Sequence, residues 1–226
     1  MDVTIILFPG TNCDQDTANA ISNHLDVVPN IISCKEKVIP KSDLIILPGG
    51  FSYGDYLRSG AIAAREPVMK DLIKKARDGV YVLGICNGFQ ILTEANLLPG
   101  TLLKNRSLKF ISKAVGINIL RNDTFFTSCF QKNQTVFIPV AHHDGNFFIE
   151  KDGLMKIEDN NQVAMRYSEP VNGSSNDIAG LYNESFNVLG LMPHPERAVD
   201  RRTGSDDGII ILLSSRSILF KSLIID

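Results

Sequence analysis

The sequence predicts an α/β fold in a single domain, residues 1–226, built as a mostly parallel sheet with helices on both faces and an antiparallel extension. Three observations predict it. In the first half, short β-rich apolar runs alternate with longer amphipathic stretches, which is the rhythm of βα units. From Ala114 to Leu191 the pattern changes to short alternating strands with turn residues between them, which extends the sheet by antiparallel pairing. With 226 residues, 44% of them apolar, the chain is also large enough to bury a full core.

Val3 to Phe8 reads as the first strand, ended by Pro9 and Gly10. The segment Asp14 to Leu25 then sets Ala18, Ile21, Ser22 and Leu25 along one helical stripe. Val27 to Ile32 and Leu44 to Leu47 are the next strands, and the second runs into the turn cluster Pro48, Gly49, Gly50. A helix follows from Pro67 to Arg77. Val80 to Ile85 is a buried strand by composition, and Asn87 to Leu97 is helical, with Phe89, Leu92 and Thr93 at helix spacing. The later strands are Thr135 to Val140, Asn146 to Ile149, Gln162 to Tyr167 and Val188 to Leu191. Ser205 to Ile225 reads as a closing helix packed on the sheet, opened by Ser205, Asp206 and Asp207 and carrying Ile209, Leu212, Leu213, Leu219, Phe220 and Leu223.

Composition removes several functions. The 23 basic and 25 acidic residues give a net charge of -2 and are spread along the chain, so no basic field exists for nucleic acid or an anionic membrane. No stretch approaches the roughly 18 apolar residues of a membrane span, and the apolar start follows Asp2 rather than a basic segment. The expectation is a cytoplasmic protein. Cys13, Cys34, Cys86 and Cys129 lie far apart without a CxxC pair, which suggests neither a disulfide framework nor a zinc site; most read as small buried hydrophobes, with one thiol left for chemistry.

That thiol is Cys86. Gly84, Ile85, Cys86, Asn87, Gly88, Phe89, Gln90 follows a predicted strand and opens a predicted helix. Such a sharp turn holds its central residue in a strained conformation and lifts its side chain above the sheet, with glycines on either side to avoid collision. Unpaired amides and the helix dipole stabilise negative charge on the sulfur, and the Asn87 amide points where an oxyanion would form. The alternative is a core thiol in an ordinary βα turn.

Directly after the strand Val188 to Leu191 comes Met192, Pro193, His194, Pro195, Glu196, Arg197. The two prolines are expected to hold this segment extended, so that His194 and Glu196 share a face. An imidazole next to a thiol can stabilise a thiolate and protonate a leaving amine, and a carboxylate fixes its tautomer. The alternative here is a surface loop after an edge strand. His142 and His143 lie between two strands, where one of them lines the site on this reading and the other is a loop histidine. The loop Pro48 to Asp55 belongs on the same carboxyl edge as Cys86, and amides near Gly50 and Phe51 would complete an oxyanion hole. Neither a P-loop nor a GxGxxG turn opening a helix occurs, so no nucleotide site is recognised.

With GICNGFQ and PHPE in hand, the chain resembles the class I glutamine amidotransferases, a family with a flavodoxin-like sheet. The longer strings FPGTNCD, PGGFSYGDYLRSGAIA, LKFIS, GNFF, NGSSNDIAG and MPHPERAVD resemble one branch of it, the glutaminase subunits that serve a purine-biosynthetic synthase. The resemblance implies Cys86 as nucleophile, His194 as general acid and base, Glu196 as orienting carboxylate, and oxyanion donors at Gly50, Phe51 and Asn87. It further implies that Gln90 and His142 line the glutamine pocket. It implies no cofactor in this chain. ATP and magnesium would sit in a large synthetase subunit that turns formylglycinamide ribonucleotide into formylglycinamidine ribonucleotide, and a small third subunit often bridges the two. The chain departs from the branch where His143 and Asp144 replace an expected glycine and glutamate. Two other readings stay open: a cysteine hydrolase or a glutaminase for another synthetase on the same fold, and a regulatory subunit that keeps the fold alone.

Overall fold

The computed structural model describes residues 1–222. In chain order the elements are β1 (Val3–Leu7), α1 (Asp14–Leu25), β2 (Asn30–Ser33), β3 (Leu44–Leu47), α2 (Val68–Arg77), β4 (Tyr81–Ile85) and α3 (Asn87–Glu94). Next come β5 (Thr101–Leu103), β6 (Ile111–Ile119), β7 (Thr135–His142), β8 (Asn146–Phe148), α4 (Lys151–Asp159), β9 (Val163–Tyr167), β10 (Ile178–Tyr182), β11 (Val188–Leu191) and α5 (Ile209–Ser222).

Nine strands form one sheet in the order β2-β1-β3-β4-β11-β10-β9-β6-β7. β2, β1, β3, β4 and β11 run parallel. From β11 outward every pairing is antiparallel. The change of mode has a chain-level cause: the long crossovers of the first half permit parallel neighbours, whereas the shorter connections of the second half return the chain beside itself. The β1–α1–β2 unit steps one way along the sheet and the β3–α2–β4 unit steps the other, so right-handed crossovers put α1 and α2 on opposite faces.

The inner parallel strands β1, β3, β4 and β11 are largely apolar on both faces because helices cover both, whereas the edge strand β2 is mostly exposed. Ile5, Ile6, Ile45, Ile46, Val82, Leu83 and Leu189 are all buried. α2 buries Val68, Met69, Leu72 and Ala76 at helical spacing. α3 lies over β3, β4 and β11, and α5 lies against α1 and the turn Pro195–Arg197.

Several expectations change. Asn146–Phe148 pairs with β5 in a separate two-stranded sheet rather than extending the main one. β5, β6, α4 and β10 are elements the pattern did not single out. α5 begins at Ile209, because Ser205 and Asp207 are engaged ahead of it, Ser205 Oγ accepting from Asp207 N and Asp207 Oδ2 from Phe137 N. Ile211 and Leu212 are buried but Leu213 is 36% exposed, so only part of the expected apolar set faces inward. The expected contributions of the Leu219, Phe220 and Leu223 side chains and the expected end at Ile225 lie outside what is described. Three of the cysteines are buried as expected, whereas Cys129 is exposed.

Candidate active site

The carboxyl ends of β1, β3, β4 and β11 point the same way, and the loops that follow them meet at one rim, the usual position of a site in an open α/β sheet. There they enclose a cavity of about 260 Å³ whose lining includes Cys13, Gly50, Phe51, Cys86, Ala141 and His194. A larger depression of about 420 Å³, bordered by Leu98, Ile157 and Gln162, gathers no thiol with a base.

Cys86 joins β4 to α3 with φ 50° and ψ −102°, a conformation costly for a residue with a Cβ. The surroundings enforce it. The Cys86 amide donates to Leu191 O at 2.7 Å, fastening the turn to β11. A Cβ on Gly88 would collide with the carbonyl oxygen of Leu47, and one on Gly84 would collide with Gly88. The glycines thus allow α3 to start directly against β3. The Cys86 thiol donates weakly to Ala141 O at 3.7 Å.

His194 is buried, with its backbone amide donating to Pro139 O at 2.8 Å. Its Nδ1 lies 2.6 Å from Glu196 Oε1, and since a carboxylate only accepts, Nδ1 carries the proton. The expected extended segment is not what achieves this: Pro195–Arg197 is a 3₁₀ turn that folds Glu196 back toward the ring. Burial alone pulls the His194 pKa down, but the charges of Glu196 and Cys86 outweigh it and leave the pKa well above 6.5. His194 Nε2 and Glu196 Oε2 are buried without a hydrogen-bond partner among the described residues. The thiol and Nε2 therefore face one cavity with their mutual hydrogen bond not closed, as is common before substrate binds.

The other expected site residues divide. Gly50 and Phe51 line the cavity, but the Phe51 amide donates to Gly10 O at 2.9 Å and is occupied in this conformation. Asn87 is the first residue of α3, and its Oδ1 accepts from Ser52 N at 3.1 Å. Asn87 Nδ2 donates to Gln90 Oε1 at 2.8 Å, and Gln90 Nε2 donates to Asp144 O at 2.7 Å. The Gln90 amide is thus consumed inside the protein, where it ties α3 to the β7–β8 loop, and it does not line the cavity. His142 also stands behind the lining: its Nδ1 bonds Asn105 Oδ1 at 3.1 Å, and burial first, then the charge of His194, pushes its pKa down to about 4. His143 and Asp144 pair at 2.7 Å, and Asp144 Oδ2 accepts from Ser59 Oγ at 2.9 Å.

Sequence reasoning missed three contributors. Asn105, fully buried, bonds His142 and donates to the His142 and Lys109 carbonyls, yet nothing in its sequence context marks it. Cys13 and Arg197 meet beside His194, with Arg197 Nη2 3.2 Å from Cys13 Sγ. Their signal was present, since both fall inside strings shared with the resembled branch.

The chain is similar to known proteins over most of its length. Residues 1–207 match the model of a CobB/CobQ-like glutamine amidotransferase domain. The chain is 50% identical over 220 residues to phosphoribosylformylglycinamidine synthase subunit PurQ of Zymomonas mobilis, covering 97% of this chain and 100% of that protein. It is 51% identical over 210 residues to the protein of the same name from Rhizobium etli, covering 92% and 94%. Among solved structures, a chain of PurLQS from Thermotoga maritima superposes with a TM-score of 0.89 at 44% identity, covering 96% of this chain and 98% of that one. A glutamine amidotransferase from the same organism, 17% identical with a TM-score of 0.56 and covering 100% and 86%, shares the fold.

Proposed function

The chain belongs to the CobB/CobQ-like glutamine amidotransferase domain family, as a PurQ-type subunit of phosphoribosylformylglycinamidine synthase, and we propose that Cys86, His194 and Glu196 are the residues with which it takes ammonia from glutamine. The observation that carries the assignment is the strained Cys86 turn opening on the same cavity as an imidazole held by a buried carboxylate.

On this reading the Cys86 thiolate attacks the side-chain amide carbon of glutamine, and the charge that develops on oxygen is met by main-chain amides at Asn87 and Gly50. Phe51 joins them only when its amide leaves Gly10. His194 gives its Nε2 proton to the departing nitrogen, the C–N bond breaks, and ammonia leaves a γ-glutamyl thioester. Water then yields a proton to Nε2 and attacks the thioester carbon; the C–S bond breaks, giving glutamate and the free thiolate. Glu196 keeps the imidazole oriented throughout. Gln90 and His142 support the glutamine pocket from behind.

Ammonia is nucleophilic only while unprotonated, so it passes within a complex to a large synthetase subunit, with a small subunit completing the assembly. The large subunit makes formylglycinamidine ribonucleotide from formylglycinamide ribonucleotide, and ATP and magnesium belong to it. This chain carries neither a P-loop nor a GxGxxG signature. A cytoplasmic setting fits the buried Cys13, Cys34 and Cys86 thiols, which form no disulfide. Among the described residues no helix is long and apolar enough to cross a membrane.

The test is glutamine hydrolysis by the complex. Cys86→Ala is expected to lose at least about 10³-fold in turnover while still co-purifying with the synthetase subunit. Turnover that survives the substitution assigns the chemistry to another group.

A further inference from the structure

A second thiol stands beside the His194–Glu196 pair. Cys13 arrives on the loop after β1, and its Sγ, a ring nitrogen of His194 and a carboxylate oxygen of Glu196 all lie within 4.8 Å of one another. All three residues are buried, and Glu196 Oε2 has no hydrogen-bond partner among the described residues although such a group is costly to leave unsatisfied. Gly49 makes the approach possible, since a Cβ there would fall 2.7 Å from His194 Cε1 and 3.0 Å from Cys13 Sγ.

We propose that Cys13, His194 and Glu196 form an inhibitory site for a thiophilic divalent cation, of which zinc is the best fit. One sulfur, one imidazole nitrogen and one carboxylate oxygen make a tripod that zinc accepts in tetrahedral geometry, with the fourth position open to a water. At bond lengths of about 2.0–2.3 Å its ligand atoms would stand roughly 3.3–3.8 Å apart, below the 4.8 Å that bounds the present separations, and the 2.6 Å Nδ1–Oε1 contact opens as the ion replaces the proton between them. The sulfur disfavours magnesium and calcium, which take oxygen ligands. The charges also balance: thiolate and carboxylate neutralise the ion, while Arg197, which donates to Cys13 Sγ, is itself paired with Asp16 at 3.2 Å. Cys13 and His194 both line the cavity, so the ion has a route in.

Binding releases the Cys13 thiol proton and the His194 Nδ1 proton to solvent. Nδ1 then holds metal in place of its bond to Glu196, and the ring, no longer an imidazolium, holds its Nε2 proton too firmly to give it to the departing nitrogen. The inhibition rests on the function proposed above; the binding does not.

Cobalt(II) added to the purified chain is the probe, because a thiolate ligand gives a sulfur-to-metal charge-transfer band and tetrahedral geometry gives intense visible bands. We expect one ion per chain, displaced by zinc, with the band kept in Cys86→Ala. Cys13→Ala should weaken binding at least about 100-fold, and Cys13→Ser, which preserves volume and packing, should lose the sulfur band while melting like the wild type. Zinc should inhibit glutamine hydrolysis reversibly, with a chelator restoring it. A sulfur band that survives Cys13→Ser and vanishes in Cys86→Ala overturns the proposal, as does the lack of any tetrahedral spectrum in the wild type. If the spectra behave as expected but glutamine is never hydrolysed, the metal site stands and the glutaminase reading fails.

Discussion

The 2.6 Å bond between His194 Nδ1 and Glu196 is buried at both ends, so its protonation is also a stability term. The folded pKa of His194 lies above its ordinary value of 6.5. Its contribution is therefore complete below about 6.5, the unfolded value, and is lost as pH rises through the folded pKa. His142, pushed down to about 4, gives the opposite slope, destabilising as pH falls below the unfolded value. Burial, the larger cause of that slope, is common to wild type and Glu196→Gln. Urea denaturation should find Glu196→Gln less stable by about 1–3 kcal/mol at pH 6, with the gap narrowing toward alkaline pH. A gap independent of pH would mean that the pair does not hold a charged imidazole. The partnership of these residues was legible in PHPE, but its geometry was not: two prolines can be read as an extended segment or as a tight turn, and the His194 backbone, pinned to β7, decides for the turn.

At the scale of elements the decisive feature is how closely α3 starts against β3 and β4. Gly88→Ala would place a methyl group on the Leu47 carbonyl, and neither backbone has a rotamer with which to yield. The expected cost is about 2–3 kcal/mol, together with loss of glutaminase activity, because separating α3 from β3 moves Cys86 away from the Gly50 loop. Gly54→Ala is the control: its φ is +66° but nothing lies within 4 Å of a Cβ there, so it should cost about 1 kcal/mol and leave turnover intact. Equal effects on urea midpoint and turnover would refute the packing argument. The strand–turn–helix context was readable because β4 is purely apolar and the glycines flank the cysteine at fixed offsets. α4 was not, since Ile157 is its one fully buried residue and Gly153 interrupts it. β10 was hidden for another reason: Ala179 and Gly180, poor strand formers, stand at its centre and break the apolar run.

For the whole molecule, the parallel half brings the reacting groups to one rim and the antiparallel half supports that rim from the side, through Pro139, Ala141 and the Gln90–Asp144 bond. Sequence could assign each loop to the carboxyl edge, but not which tertiary partners would occupy the Phe51 amide or the Gln90 side chain, because those bonds join segments far apart in the chain. The rim also carries exposed apolar side chains. Phe51 and Phe110 line the cavity with ring centroids 6.5 Å apart, both substantially exposed. Beyond them along the same two segments, Leu57 is 81% exposed at φ 69° and Leu108 is 70% exposed at φ 55°. A leucine in the left-handed region costs backbone energy and, exposed, recovers none of it by burial. Aspartate tolerates that conformation better. Leu57→Asp and Leu108→Asp should therefore leave the melting temperature of the isolated chain unchanged or raised, whereas burial against the synthetase subunit would make each substitution cost about 2 kcal/mol of binding, roughly 30-fold in Kd. Titration of the labelled chain with the synthetase subunit reads this directly. If affinity is untouched, the subunit that receives ammonia docks elsewhere than over the cavity mouth, and the passage between the two sites must begin at a different face.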